Sequence, residues 1–254
     1  MRRLHLFEFS DQWWFPRVLR DAETAYLAMA YRISPKLPQC WAEKISTAFQ
    51  AGEPEEILDL CSGAGGPLPL IINELEKRGY NARARLTELH PHLRPPSHPR
   101  IEWVTQPVDA TRVSRELAGV RTIFSAFHHF RPDAAKAILK DALEQRRAIC
   151  IFESGSGTLL GLLSMIVIPI FVLALMPFAR PFRWAYVLFT YLIPLMPLII
   201  LWDGSVSMLR VYSPEQMKTM TADLEAPDYS WEIGRIPVRR VPDGLPYLIG
   251  RPCK

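Results

Sequence analysis

The chain has 254 residues, enough for one large domain or one domain carrying an insertion. A net charge of +4, with 22% charged residues, excludes a protein held to nucleic acid by bulk charge. Four scattered cysteines (Cys40, Cys61, Cys150, Cys253), without a C-x-x-C pair, exclude a disulfide scaffold and any cysteine metal site.

The N-terminus, MRRLHLFEFSDQWWFPRV, is interrupted by Glu8, Asp11 and Arg17, so no cleaved export signal is expected. Trp14, Val18, Leu19, Ala22, Ala25, Tyr26 and Met29 recur at helical spacing, and a second helix is expected from Pro38 to Phe49. Residues 1–52 are therefore read as a helical lid. The period then changes. EEILDL is a short apolar strand, PLPLIINELEKRGY a helix, and ARARLTEL, IEWVTQPVDA and VRTIFSAF three further strands. PDAAKAILKDALEQRR is an amphipathic helix and AICIFES a buried strand. This alternation predicts an α/β fold around a mainly parallel sheet, over 53–155 and 204–254. Ser213 and Pro214 open a last helix, and YSWEIGRIPV and LPYLIGRP read as a closing antiparallel hairpin.

Between the fifth strand and that last helix lies a different composition. Ser154 to Ala179 and Trp184 to Trp202 carry no charge, with only Arg180 and Arg183 between them. About 20 apolar residues cover the ~30 Å hydrocarbon core as a helix. Residues 156–203 are thus expected to form an apolar hairpin in a bilayer, spanning it, with Trp184 and Trp202 at the interfaces. A hairpin dipping into one leaflet and an arm buried against other subunits are the alternatives.

The site-forming stretch is Ile57-Leu58-Asp59-Leu60-Cys61-Ser62-Gly63-Ala64-Gly65-Gly66. A strand ending in an acid enters a small-residue turn that opens a helix, where free N–H groups face an anion. A turn with a purely structural role is the alternative. Glu88 ends the second strand and could accept both hydroxyls of a ribose, and Asp109 follows the third. Here the chain resembles the class I S-adenosylmethionine-dependent methyltransferases, over about residues 55–154 with 205–252 as their final helix and strands. The resemblance implies a Rossmann-like sheet and S-adenosyl-L-methionine as cofactor. It implies that Asp59, Gly63 and Gly65 face the methionine part, Glu88 the ribose and Asp109 the adenine edge, with Ser125 beside them. Cys61 stands where the family's first glycine is usual. A dinucleotide-binding domain would want G-x-G-x-x-G, and the sequence has G-A-G-G-P-L.

Strand four ends in Ser125-Ala126-Phe127-His128-His129-Phe130, which the resemblance places beside the methyl group. A neutral histidine can take a proton from an attacking hydroxyl or amine, so His129, then His128, are candidate catalytic residues. Packing under the turn is the alternative for both. Tyr212 joins them as a catalytic candidate. Asp11, Trp13, Trp14, Phe127 and Arg210 are candidate acceptor contacts, since aromatics with one acid suit a cationic or apolar acceptor. His90, His92 and His98 lack a completing acid or cysteine and are read as a solvated loop, with no metal. The expectation is a methyltransferase at a membrane, its catalytic domain on the cytoplasmic side, acting on a lipophilic small molecule or lipid headgroup. Its partner is the lipid bilayer, with no nucleic acid and a possible homo-oligomer. A non-catalytic membrane scaffold and a soluble oligomeric methyltransferase are the other two readings.

Overall fold

In a computed structural model, residues 3–50, 52–89, 98–238 and 241–253 are described. His90 and His92 lie outside them. The chain divides into two compact units, residues 36–154 with 212–254, and residues 1–35 with 155–211.

The first unit is the sheet. Its elements in chain order are α2 (Lys36–Ser46), β1 (Glu56–Asp59), α3 (Leu68–Lys77), β2 (Arg83–Leu86), β3 (Ile101–Trp103) and β4 (Val120–Phe124). They continue with α4 (Pro132–Glu144), β5 (Ile149–Phe152), α9 (Pro214–Ala222), β6 (Tyr229–Val238) and β7 (Val241–Pro252). The seven strands run in the order β3-β2-β1-β4-β5-β7-β6. β1 to β5 pair in parallel, and β7 lies antiparallel to both β5 and β6. Every residue of β4 and β5 is buried, as continuous apolar strands between two helical layers require. On one face Leu58, Ile123, Ile151, Ile138, Leu139 and Met217 form the core. On the other Trp41 of α2 is fully buried against the rings of Phe124 and Phe152, 5.4 and 5.6 Å away. That packing places α2 with the sheet. The first 52 residues are therefore not one lid, because the division falls after Pro35.

Local chemistry sets the ends. Pro132 at the first helical position starts α4. Ser213 and Gln216 close a reciprocal capping box on α9. At Gly119 the backbone takes φ +118°, and a Cβ there would lie 2.9 Å from the Glu56 carbonyl oxygen, so only glycine lets β4 begin beside β1. The third strand is shorter than its sequence pattern: it ends at Trp103, and residues 104–109 are an irregular loop. Pro107 cannot donate to a ladder, which limits the strand.

The second unit is helical. It holds α1 (Arg17–Arg32), α5 (Leu159–Ser164), α6 (Ile168–Leu175), α7 (Trp184–Val187) and α8 (Leu195–Arg210). α5 and α6, joined and followed by 3-10 turns, run as one 20-residue helix, Leu159–Phe178. Leu19, Ala22 and Tyr26 of α1 share a buried core with Val172, Met176, Tyr186, Met196 and Ile200 of the apolar insert. The insert is thus one part of a small bundle, and its first arm alone is a straight helix long enough to span. The return arm breaks at Ile193-Pro194, where Trp184–Leu192 and Leu195–Arg210 meet at 84°. The Pro194 ring drives Ile193 out of the helical region, to φ −122° and ψ 86°. The return arm of the expected hairpin is therefore bent, as its prolines allow.

α8 also runs past the expected end of the insert at 203, because its polar residues bind the N-terminal segment. Asp203 accepts the N–H groups of Phe9 and Ser10 at 2.8 and 3.0 Å. Trp202 Nε1 donates to the Phe7 carbonyl at 3.1 Å.

Candidate active site

Asp59 ends β1 with 2% of its surface exposed. Its Oδ1 accepts a hydrogen bond from Thr122 Oγ1 at 2.6 Å, and its carbonyl accepts from the hydroxyls of Ser62 and Thr87, both at 2.8 Å. Burial raises its carboxyl from the usual range to about 7; the hydroxyls of Thr122 and Ser62 oppose the rise and nearby Glu88 adds to it. Asp59 therefore braces the turn from beneath.

After Asp59 the chain folds tightly over itself. Cys61 has φ +56°, and Gly63 and Gly65 also lie in the left-handed region. Cys61 occupies a conformation that costs a non-glycine residue roughly 1–2 kcal/mol. A Cβ added at Gly63 would meet no atom within 4 Å, so this side of the turn is open.

Glu88, after β2, reaches back over the turn and accepts the Gly63 N–H at 2.5 Å. The carbonyl of Glu88 in turn accepts the Val108 N–H at 2.8 Å, which draws the loop after β3 alongside and brings Asp109 with it. Asp109 Oδ1 accepts both the N–H and the hydroxyl of Thr111, at 2.8 and 2.7 Å. Burial keeps the Cys61 thiol protonated, and the negative charges of Glu88, Asp59 and Asp109 add to the effect. The acids picked from three strand ends thus form one cluster at the carboxyl edge of β1, β2 and β3.

Beside them, β4 ends at Ser125, which also takes a left-handed conformation, φ +52°, and donates or accepts at Ser154 Oγ at 2.8 Å. A 3-10 turn, Phe127–His129, follows. Glu153, fully buried at the end of β5, accepts the His128 N–H at 2.9 Å and pairs with His128 Nδ1 at 2.8 Å. A carboxylate facing Nδ1 places the ring proton there and leaves Nε2 as the basic atom. His129 packs its ring 4.3 Å from that of His128. Phe127 is fully buried against the Tyr212 ring at 5.4 Å, which makes it part of the core beneath the turn. The Tyr212 hydroxyl donates to the Phe130 carbonyl at 2.8 Å, so Tyr212 holds the turn in place and is not positioned as a base.

The seven-stranded fold with its antiparallel β7 is similar to known structures. The plantazolicin methyltransferase BpumL in complex with SAH has a TM-score of 0.59 at 11% identity, over 97% of this chain and 94% of that one. Its complex with a pentazolic desmethylPZN analog and SAH gives 0.53 at 10% identity, over 93% and 98%. This chain has the class I S-adenosylmethionine-dependent methyltransferase fold. No protein-family model matches it, and no curated protein sequence does. In this methyltransferase fold the expected cofactor-side residues Asp59, Cys61, Gly63, Gly65, Glu88 and Asp109 form one cluster, with Ser125 on the neighbouring strand end. Glu153 was missed by the sequence reading. The signal existed: it is the acid at the end of a buried strand, the same feature that singled out Asp59 and Glu88.

The remaining candidates lie in the helical unit. Arg210 is 3% exposed on its side chain and pairs with Glu8 at 3.1 Å and Asp11 at 2.6 Å, while its Nε donates to the Leu6 carbonyl at 2.8 Å. Arg210 and Asp11 are thus brought together as a clamp on the N-terminal segment. Ser207 adds a hydrogen bond to Glu8 at 3.1 Å. Trp13 is 91% exposed, and Trp14 is exposed with its edge against Phe9. His98 accepts the Arg100 N–H at 3.2 Å, a turn contact within its own loop.

Proposed function

We propose that the chain is an S-adenosylmethionine-dependent methyltransferase acting on a lipophilic small molecule or a lipid headgroup, at a membrane, with the sheet unit on the cytoplasmic side. The observation that carries the cofactor reading is the convergence of Asp59, Glu88 and Asp109 on one open glycine turn. The donor set fits the ligand. Glu88 would accept from the ribose hydroxyls and Asp109 from the adenine amine, while the turn's N–H groups would hold the methionine carboxylate. Asp59 lies below this turn as a carboxyl ready to ionise against a cationic ligand.

S-adenosylmethionine supplies a methyl group already activated by its sulfonium charge. The protein's part is alignment, exclusion of water and removal of one proton. His128, oriented through Nδ1 by Glu153, would take that proton at Nε2 from a hydroxyl or amine acceptor. Ser125 and the 3-10 turn would frame the acceptor. Support for a lipophilic acceptor comes from the helical unit, whose Leu159–Phe178 helix has only 11% of its most apolar window buried.

The test is transfer of a labelled methyl group from S-adenosylmethionine into a lipid extract. Label in the organic phase that falls away with Glu88→Ala supports the reading. Cofactor binding without transfer to any extract would instead support a non-catalytic membrane scaffold. Homogeneous protein recovered from the aqueous fraction without detergent would favour a soluble oligomer whose insert joins subunits.

A further inference from the structure

We infer that the helical unit enters the membrane from one side only, laying its apolar face into a single leaflet of anionic lipid and keeping its hairpin tip at the headgroups. This inference rests on the membrane reading above and concerns the geometry of the contact.

Both arms expose large apolar side chains. Leu159, Leu163, Ile166 and Ile170 follow helical spacing along the first arm and are all exposed, Ile166 by 70%. Trp184 and Leu192, each 78% exposed, lie on the return arm. A soluble monomer does not present an apolar surface of this kind to water.

The chemistry of the face selects lipid over a second protein. A protein interface carries about one hydrogen bond per 100–200 Å², and this helix offers almost none. Ser164, its one hydroxyl between Leu159 and Phe178, already donates to the Gly161 carbonyl at 2.6 Å. Lipid tails ask for no such partners. The charge balance selects the headgroup. Residues 1–35 and 155–211 hold eight arginines against five carboxylates, and exposed Arg180 lies at the tip between Phe178 and Phe182.

The fold of the unit excludes a crossing. Arg183 at the tip pairs with Asp21 of α1 at 2.7 Å, and Ala179 and Tyr186 share a core with Phe15, Leu19 and Ala22. The tip is therefore fastened to α1. α1 carries Arg17, Arg20, Asp21, Glu23 and Arg32 and is too costly to place across hydrocarbon. Ile33-Ser34-Pro35, which joins it to α2, reaches at most ~11 Å. That is far short of the ~30 Å core. Tip, α1 and sheet unit consequently remain on one side, and the 84° break in the return arm suits a segment lying along a leaflet.

Two cysteines test this in one molecule: exposed Cys253 in the sheet unit and a tip cysteine from Arg180→Cys, on a Cys40→Ser background. The full chain is reconstituted into sealed vesicles of phosphatidylcholine and phosphatidylglycerol and treated with an impermeant polyethylene-glycol maleimide. One-sided docking predicts molecules tagged twice or not at all, whichever way each faces. Molecules tagged once, gaining the second tag only after detergent, would show a spanning hairpin and overturn the inference while leaving membrane attachment intact. Failure of the untreated chain to float with these vesicles would overturn the membrane reading itself.

Discussion

Glu153 holds His128 by two bonds at once, to the backbone N–H at 2.9 Å and to Nδ1 at 2.8 Å, both groups being buried at the ends of neighbouring parallel strands. The carboxylate fixes the ring's orientation and its tautomer together. Replacing Glu153 by Gln keeps the shape and weakens that control. Under the proposed mechanism, Glu153→Gln and His128→Ala lower the turnover of labelled methyl transfer by about 10²-fold, while S-adenosylmethionine affinity stays within about threefold of the parent. Single-turnover kinetics beside calorimetry separates the two quantities.

Asp59 makes stability depend on pH in a defined direction. Its folded-state value, raised to about 7, exceeds that of an unfolded aspartate, so the folded state binds the proton more tightly. Stability is greatest below the unfolded value and falls as pH rises through about 7. The unliganded protein therefore loses up to ~4 kcal/mol between about pH 4 and about pH 7 through this group. Asp59→Asn removes that loss, so the variant melts higher than the parent at about pH 8 while binding S-adenosylmethionine less well. Thermal unfolding across pH, with and without ligand, reads both effects.

The same carboxyl sets the pH dependence of cofactor binding. Pairing with a cationic ligand favours ionised Asp59, so affinity rises with pH and levels off above about 7. In the Asp59→Asn variant the slope disappears. Titration calorimetry in buffers of different ionisation enthalpy would record the released proton.

Much of the sheet unit was legible in the sequence because its strands are short continuous apolar runs and its acids stand at their ends. Asp59, Glu88 and Asp109 could be chosen one strand at a time. The sequence cannot show a bond made by an acid to a residue 25 positions away, so the hold of Glu153 on His128 is visible only in the structure. The ion pairs of Arg210 are hidden from the sequence for a related reason. An arginine at the end of an apolar helix looks available for substrate, but Glu8 and Asp11 lie about 200 residues upstream and take up its charge. The apolar segment after β5 is legible from its composition, whereas the 84° angle at Pro194 is not, because composition measures apolarity and not direction.

Arg210 provides a check on the helical unit that is independent of catalysis. Removing one member of a buried ion pair costs about 3–5 kcal/mol, since the remaining charges stay unpaired. Arg210→Met is expected to release the segment before α1, seen as faster hydrogen exchange at the Phe9 and Ser10 amides and proteolysis before Pro16. Exchange in β4 and β5, whose pairing is internal to the sheet unit, stays at the parent rate. Loss of protection in β4 instead would mean that Arg210 supports the whole chain.

Calorimetric titration of the full chain with S-adenosylmethionine and with S-adenosylhomocysteine tests the central claim most directly. One saturable site for both ligands is expected, weakened about 30-fold or more by Glu88→Ala and unchanged by Cys253→Ser. Absence of binding by the parent protein for either ligand, or binding that Glu88→Ala leaves untouched, would contradict the assignment of the glycine turn and its three acids.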